Sequence, residues 1–242
     1  MRIALISDLH AAEAALNAVF RDIEAAGVDQ IICLGDVATL GPRPSAVLAM
    51  LQARECVCIL GNHDEFIFDA ELIHTYTEAP VVVEAVDWCR DRLSKDEVDF
   101  LRLFEDKVEL WPDDSTRLLL FHGSPESHMV NILSTTPAEE LDEMLAGESA
   151  TLMAGGHTHI QMLRQHRGTL VVNPGSVGMP FKEFVNGQAP SLMPHAEYAL
   201  IDAGGGKVSV DLRRVWVDPN ARRKELEGCD IPLLENLLTQ CS

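Results

Sequence analysis

The sequence predicts a layered α/β fold in which helices flank mixed β-sheet. Three observations carry this prediction. Short, continuous apolar runs recur at residues 2–7, 30–35, 56–61, 117–121, 150–154 and 169–172. Stretches with helical spacing lie between them. No repeat, low-complexity tract or linker interrupts the chain, so residues 1–242 read as one domain.

The first run has strand length and does not alternate, as expected of a strand covered on both faces. After it, Leu16, Val19, Phe20 and Ile23 fall at i, i+3, i+4, i+7, the stripe of an amphipathic helix. The second run is followed by Val47, Leu48 and Leu51, a helix opened by Pro44 in its first turn. Beyond the third run, Ser94 and Glu97 form a capping box ahead of Val98, Leu101 and Phe104. Thr136-Pro137 with Glu139 predicts another ahead of Leu141 and Leu145. Residues 195–217 read as two strands joined by Gly204, Gly205 and Gly206. The tail is amphipathic, and Leu233, Leu234, Leu237 and Leu238 are expected to pack on the core.

At 242 residues the chain can bury ~72% of its unfolded surface, enough for a core without disulfides or structural metals. Its 19 Lys and Arg against 38 Asp and Glu give a formal charge of −19. Such a body repels long polyanions, whose binding relies on basic side chains neutralising phosphates, and anionic membrane surfaces. None of the six cysteines forms a C-x-x-C pair, and Cys33, Cys56 and Cys58 lie in apolar runs. They read as buried small hydrophobes in a reducing compartment. Asp8 arrives too early for a signal peptide, and no 18-residue apolar run exists, so a cytoplasmic location is expected.

The chemistry sits at the C-terminal tips of the apolar runs. In order, they end in Asp8-x-His10, Gly35-Asp36, Gly61-Asn62-His63-Asp64, His122-Gly123, Gly156-His157-x-His159 and Asn173-Pro174-Gly175. Ligands of layered α/β proteins bind beyond the carboxyl ends of strands. Asp, His and Asn are the oxygen and nitrogen donors that divalent first-row metals accept, and neighbouring glycines let backbone approach a ligand. Each motif alone is common in turns and caps. Their joint occurrence, each after an apolar strand, points to a metal site.

In this order the motifs resemble the calcineurin-like metallophosphoesterases, over residues 3–176. Leu40-Gly41-Pro42 and Asn173-Pro174-Gly175-Ser176 are similar to the compact bacterial phosphodiesterase-like branch. The resemblance implies a four-layer αββα sandwich of two mixed sheets flanked by helices, with a two-metal centre. It assigns Asp8, His10, Asp36 and His159 to one metal, and Asn62, His122, His157 and a bridging Asp36 to the other. It makes His63 the non-ligand group beside the scissile phosphate, held by Asp64. Spacing alone does not separate His157 from His159.

The implied activity is metal-dependent phosphoric ester hydrolysis. Two ions about 3.5–4 Å apart clamp an in-line displacement, and the water between them attacks phosphorus after losing its proton. A protonated His63 paired with Asp64 is expected to stabilise the transition state or protonate the leaving alkoxide. Mixed nitrogen and oxygen ligation without thiolates favours Mn²⁺, with Fe, Zn²⁺ or Ni²⁺ as alternatives. A small phosphodiester is the expected substrate. The rivals are a phosphomonoesterase or protein phosphatase, which needs a basic clamp, and a non-catalytic protein-binding scaffold, which would lack ligands or His63.

His74, His128, His166 and His195 are expected at the surface or hydrogen-bonded, His128 being the one that could face substrate. After Val177-Gly178 the chain reads Met179-Pro180-Phe181-Lys182-Glu183, where relatives are often polar and basic, and 182–194 looks like a lengthened loop. Residues 79–104 are expected as a partial helical cap.

Overall fold

The computed structural model describes residues 1–184 and 189–240. The chain enters through β1 (Arg2–Ile6), α1 (Glu13–Ala26), β2 (Gln30–Cys33), α2 (Pro44–Ala53) and β3 (Val57–Cys58). A helical stretch follows: α3 (Asn62–Phe68), a 3₁₀ turn, α4 (Ile73–Tyr76), α5 (Pro80–Arg90) and α6 (Lys95–Leu101). Next come β4 (Val108–Asp113), β5 (Thr116–Leu120), α7 (Ala138–Met144), β6 (Leu152–Ala154), β7 (Met162–His166) and β8 (Thr169–Asn173). The chain closes with β9 (His195–Gly204), β10 (Lys207–Trp216), α8 (Pro219–Glu225) and α9 (Leu234–Thr239).

The strands form two five-stranded sheets, ordered β10-β9-β1-β2-β3 and β4-β5-β6-β8-β7. Within them β1, β2 and β3 run parallel, as do β5, β6 and β8, and antiparallel strands complete both sheets. Side-chain alternation makes the layers. Ile3 and Leu5 join Leu118, Leu120, Leu152 and Val172 between the sheets, whereas Ala4 and Ile6 face Leu16, Val19 and Phe20 of α1. On the far side Leu119, Met153 and Val171 pack against Leu141 of α7 and Leu145 just beyond it. Helix, sheet, sheet and helix thus follow one another, the expected four-layer sandwich. Continuous apolar runs are needed because every central strand is covered twice.

Local signals act where they were read, with two corrections. Ser94 accepts the Glu97 N–H, and Glu97 Oε2 in turn accepts the Ser94 N–H at 2.7 Å, a complete capping box. The box expected from Thr136 is absent: α7 has Pro137 at its N-cap, and Thr136 Oγ1 instead accepts the Leu133 N–H at 2.9 Å. The 56–61 run yields only two strand residues, because Ile59 turns to bridge Glu105 and Asn62 already opens α3.

Helices α5 and α6 pack on α3 and the core through Val86, Cys89 and Leu101. The five cysteines among the described residues are all free, with Cys33, Cys58 and Cys89 buried; Cys241 lies outside the described residues. In the 182–194 loop, residues 185–188 also lie outside them, and the flanks pair through Phe181 and Leu192. Leu233, Leu234 and Leu237 are half-buried and Leu238 is exposed, so the tail meets the core with only part of its apolar face. No helix among the described residues is long and apolar enough to cross a membrane.

Candidate metal centre

The tips of β1, β2, β3, β5 and β6 converge, and all nine residues singled out from the motifs are buried together there. Asp8, His10, Asp36 and His159 each offer a ligand atom within 4.8 Å of the others, and so do Asp36, His122 and His157. Asp36 belongs to both groups. Its Oδ2 stands 3.9 Å from His10 Nε2 and 3.4 Å from His122 Nε2. Asn62 Oδ1 completes the second group, 3.1 Å from His122 Nε2 and 2.9 Å from His157 Nδ1.

The sequence forces unusual backbone here. Asp8, His10, Asp36, His157 and His159 adopt φ of 53°, 42°, 58°, 67° and 58°. Non-glycine residues avoid this left-handed region, and such strain concentrates at functional sites. Neighbouring backbone holds the loops: Asp8 N–H donates to Gly35 O at 3.0 Å, and His10 N–H to Asp36 O at 3.0 Å. Ser176 Oγ donates to Asp8 O at 2.7 Å, and Asn173 Nδ2 donates to Gly156 O at 2.6 Å. Gly61 and Gly156 are required by close approach. A Cβ on Gly61 would overlap the Asp36 carboxylate and amide, and one on Gly156 would overlap Ser7 Oγ.

The donor set fits divalent ions by three criteria. Two ligands each ~2.1 Å from one ion stand at most ~4.2 Å apart; His10 Nε2 to His159 Nε2 is 3.1 Å, and His159 Nε2 to Asp8 Oδ1 is 3.2 Å. Asp8 Oδ1, a carboxylate oxygen facing the cluster, is buried without an aligned hydrogen bond. A buried polar atom without a partner is costly unless a ligand completes it. Finally, His122 Nδ1 donates to Leu34 O and His159 Nδ1 to Met179 O, both at 2.7 Å. This fixes both rings with Nε2 facing the cluster, the outer support typical of ligating histidines.

The electrostatics are those of a pocket built around positive charge. Burial favours the neutral acid at Asp8, but the neighbouring His159 prevails and holds it down at about 2. Asp36 is likewise held well below the carboxylate range, His122 overcoming burial. Burial opposes the charged forms of His122 and His159. Asp36 nonetheless raises His122 to about 9, and Asp8 raises His159. Burial, aided by the charge of His159, lowers His10 to about 3; burial and His122 lower His157 to about 4. The carboxylates of Asp8 and Asp36 thus favour the charged forms of His159 and His122, a positive charge that metal ions can supply instead.

His63 and Asp64 are both here, yet they do not pair as expected. Asp64 accepts the N–H groups of Asp36 at 2.8 Å, Val37 at 2.9 Å and Gly61 at 3.1 Å. His63 Nδ1 instead meets Thr39 Oγ1 at 2.9 Å. Adjacent residues in a helix point away from one another, so at the start of α3 the two side chains serve different partners. Burial lowers His63 and raises Asp64 to about 7, where the Asp36 charge adds to the effect. Thr39 was not marked by any motif beyond its place three residues after Asp36. Tyr76 was also missed. Its ring lies 5.6 Å from that of His63 and 6.2 Å from that of His157.

The remaining histidines are accounted for elsewhere. His128 Nδ1 pairs with Glu65 at 3.1 Å, His166 Nε2 with Asp142 at 2.7 Å and His195 Nε2 with Glu197 at 3.0 Å, while His74 is exposed.

Comparison with known proteins agrees with this geometry. The uncharacterized protein MJ0912 of Methanocaldococcus jannaschii is 25% identical over 226 residues, spanning 86% of this chain and 85% of that protein. The metallophosphoesterase from Sphaerobacter thermophilus superposes with a TM-score of 0.75 at 24% identity, over 100% of this chain and 98% of that one. The hypothetical protein PH1004 from Pyrococcus horikoshii OT3 superposes with a TM-score of 0.77 at 18% identity, over 98% and 96% of the two chains. These two likenesses establish the shared fold. The calcineurin-like phosphoesterase superfamily domain model matches residues 1–193, from β1 through every motif at the strand tips. With donors, fold and family model in agreement, the chain belongs to the calcineurin-like phosphoesterase superfamily.

Proposed function

We propose that this protein hydrolyses small phosphodiesters with two divalent ions, Mn²⁺ in preference, held by the Asp36-centred cluster. The observation that carries this reading is the pair of donor groups sharing Asp36, with the non-ligand His63 beside them. Asp8, His10, Asp36 and His159 would hold one ion; Asp36, Asn62, His122 and His157 the other. When bound, such ions neutralise charge on a phosphoryl group and lower the pKa of water, supplying a nucleophile near neutral pH.

The chain's own residues supply position and proton control. The Leu34 and Met179 carbonyls hold His122 and His159 in the tautomer that presents Nε2. Asp64 grips the amides of Asp36 and Val37, which fixes the loop that carries the shared carboxylate. Asp36 Oδ1 accepts the His63 N–H at 2.9 Å, leaving Oδ2 to face both donor groups. Thr39 orients His63 through Nδ1. Because burial disfavours the imidazolium, the ring serves through Nε2–H as hydrogen-bond donor to a phosphoryl oxygen, in place of the proton donor expected from a pair with Asp64.

A diester is favoured over a monoester by the charges around the cluster. The leading electrostatic influences on its groups are its own Asp and His residues, with no Lys or Arg among them. A monoester dianion would call for such a cation. The chain's charge of −19 supports a small substrate over long nucleic acid or an anionic membrane. Free cysteines support a reducing, cytoplasmic setting.

The test is turnover of an aryl phosphodiester and an aryl phosphomonoester by the Mn²⁺-supplemented protein, with and without chelator. Chelator-sensitive hydrolysis with the diester faster is expected. Hydrolysis of neither ester, with metal demonstrably bound, would overturn the reading.

A further inference from the structure

Two aromatic rings that are not fully buried stand at the cluster without belonging to its donor set, Phe66 against His63 being buried. Tyr76, the last residue of α4, packs on His63 and His157, with Phe66 at 5.8 Å, yet remains 44% exposed. Phe181 lies flat on His159, centroids 4.2 Å apart and planes 28° apart. It is held there by its N–H, which donates to His159 O at 3.1 Å. Each donor group thus carries one ring at its edge, Tyr76 beside His157 and Phe181 beside His159.

The surroundings give those rings a purpose. Both rings stand at the rim of the donor cluster, where the group esterified to a bound phosphate would lie. A partly exposed ring beside a phosphate site offers a stacking surface to any planar π system. We propose that Tyr76 and Phe181 form an aromatic rim that receives the planar group of an aromatic-bearing phosphodiester, aryl or nucleoside. The rim's role in substrate choice rests on the phosphodiesterase reading given above.

The test is binding, not turnover. The Mn²⁺-loaded protein is titrated calorimetrically with methyl benzylphosphonate and with methyl cyclohexylmethylphosphonate, probes of equal charge that differ in planarity. The wild-type protein is expected to bind the benzyl probe roughly 3–10-fold more tightly, the scale of one aromatic pair. Tyr76→Leu and Phe181→Leu should each lower that ratio, and Tyr76→Phe should preserve it. Comparing 5′-adenosyl methylphosphonate with phenyl methylphosphonate separates the sources of the ring. Tighter binding of the first assigns a nucleoside and of the second a simple aryl group; either supports the rim. A wild-type ratio near one, or a ratio unchanged in both leucine variants, overturns it. A failure of hydrolysis with the ratio intact would instead contradict the phosphoesterase reading alone.

Discussion

At Asp36 the two carboxylate oxygens do different things. Oδ1 is spent on the His63 amide, and Oδ2 faces nitrogens from both donor groups. The histidine fixed by that amide is held at its ring by Thr39, a neutral hydroxyl. His63→Gln should therefore keep the metal content of the wild type while slowing diester turnover roughly 10²-fold or more, the usual scale for losing a hydrogen-bond donor to the transition state. Thr39→Val should lower kcat about 10-fold with metal content unchanged, and Thr39→Ser should restore most of it, because only the hydroxyl is at issue. Steady-state kinetics with elemental analysis checks both. The cluster of Asp, His and Asn donors was legible in the sequence because short apolar runs fix the strand tips that carry it, whereas its division between two ions was implied by the family resemblance. The partners of His63 were not legible: the family resemblance implied Asp64, but helix geometry turns that side chain to backbone amides. Tyr76 arrives on a four-residue helix that leaves no periodic trace.

Among the elements, the turn from β3 into α3 bears most on the site. Gly61 lies against the Asp36 carboxylate and donates its N–H to Asp64, so there is no room for a methyl group. Gly61→Ala should displace the Asp36 loop and lower metal content even in protein that remains folded, which elemental analysis alongside circular dichroism would reveal. The capping box of α6 makes a contrasting case. Ser94→Ala should cost about 1 kcal/mol of stability in urea unfolding without changing turnover. Elements with strong local signals, such as α1, α6, β9 and β10, could be read from the sequence. The edge strand β7 could not, since Met162 and His166 are buried at its ends while the residues between are exposed or half-buried. The Thr136 box failed because the helix begins one residue later, with Pro137 at its N-cap, and the Thr136 hydroxyl accepts the Leu133 amide instead.

At the scale of the whole molecule, the two sheets bring motifs spread from residue 8 to residue 159 into one pocket, and the C-terminal helices tie the ends of the chain to the first layer. Glu225 of α8 accepts the Ala14 N–H of α1 at 2.8 Å while largely buried. Burial, with Glu13 nearby, raises its carboxyl from 4.5 to about 7. The folded state thus holds a proton that the unfolded state releases. This contribution is full below pH ~4.5 and is lost as pH rises through 7, a difference of roughly 1–3 kcal/mol. Glu225→Gln keeps the acceptor and removes the titration, so its stability should vary less between pH 5 and 8 in urea unfolding. The overall charge of −19 is compatible with a phosphate-bearing substrate because ions at Asp8 and Asp36 would reverse the local sign. The central claim, that the Asp36-centred cluster holds the ions that drive hydrolysis, is tested most directly by paired elemental analysis and diester turnover of wild type and Asp36→Asn with Mn²⁺. The expected result is bound metal and hydrolysis in the wild type, with both lost in the variant; a variant that keeps the wild-type metal content and rate would contradict it.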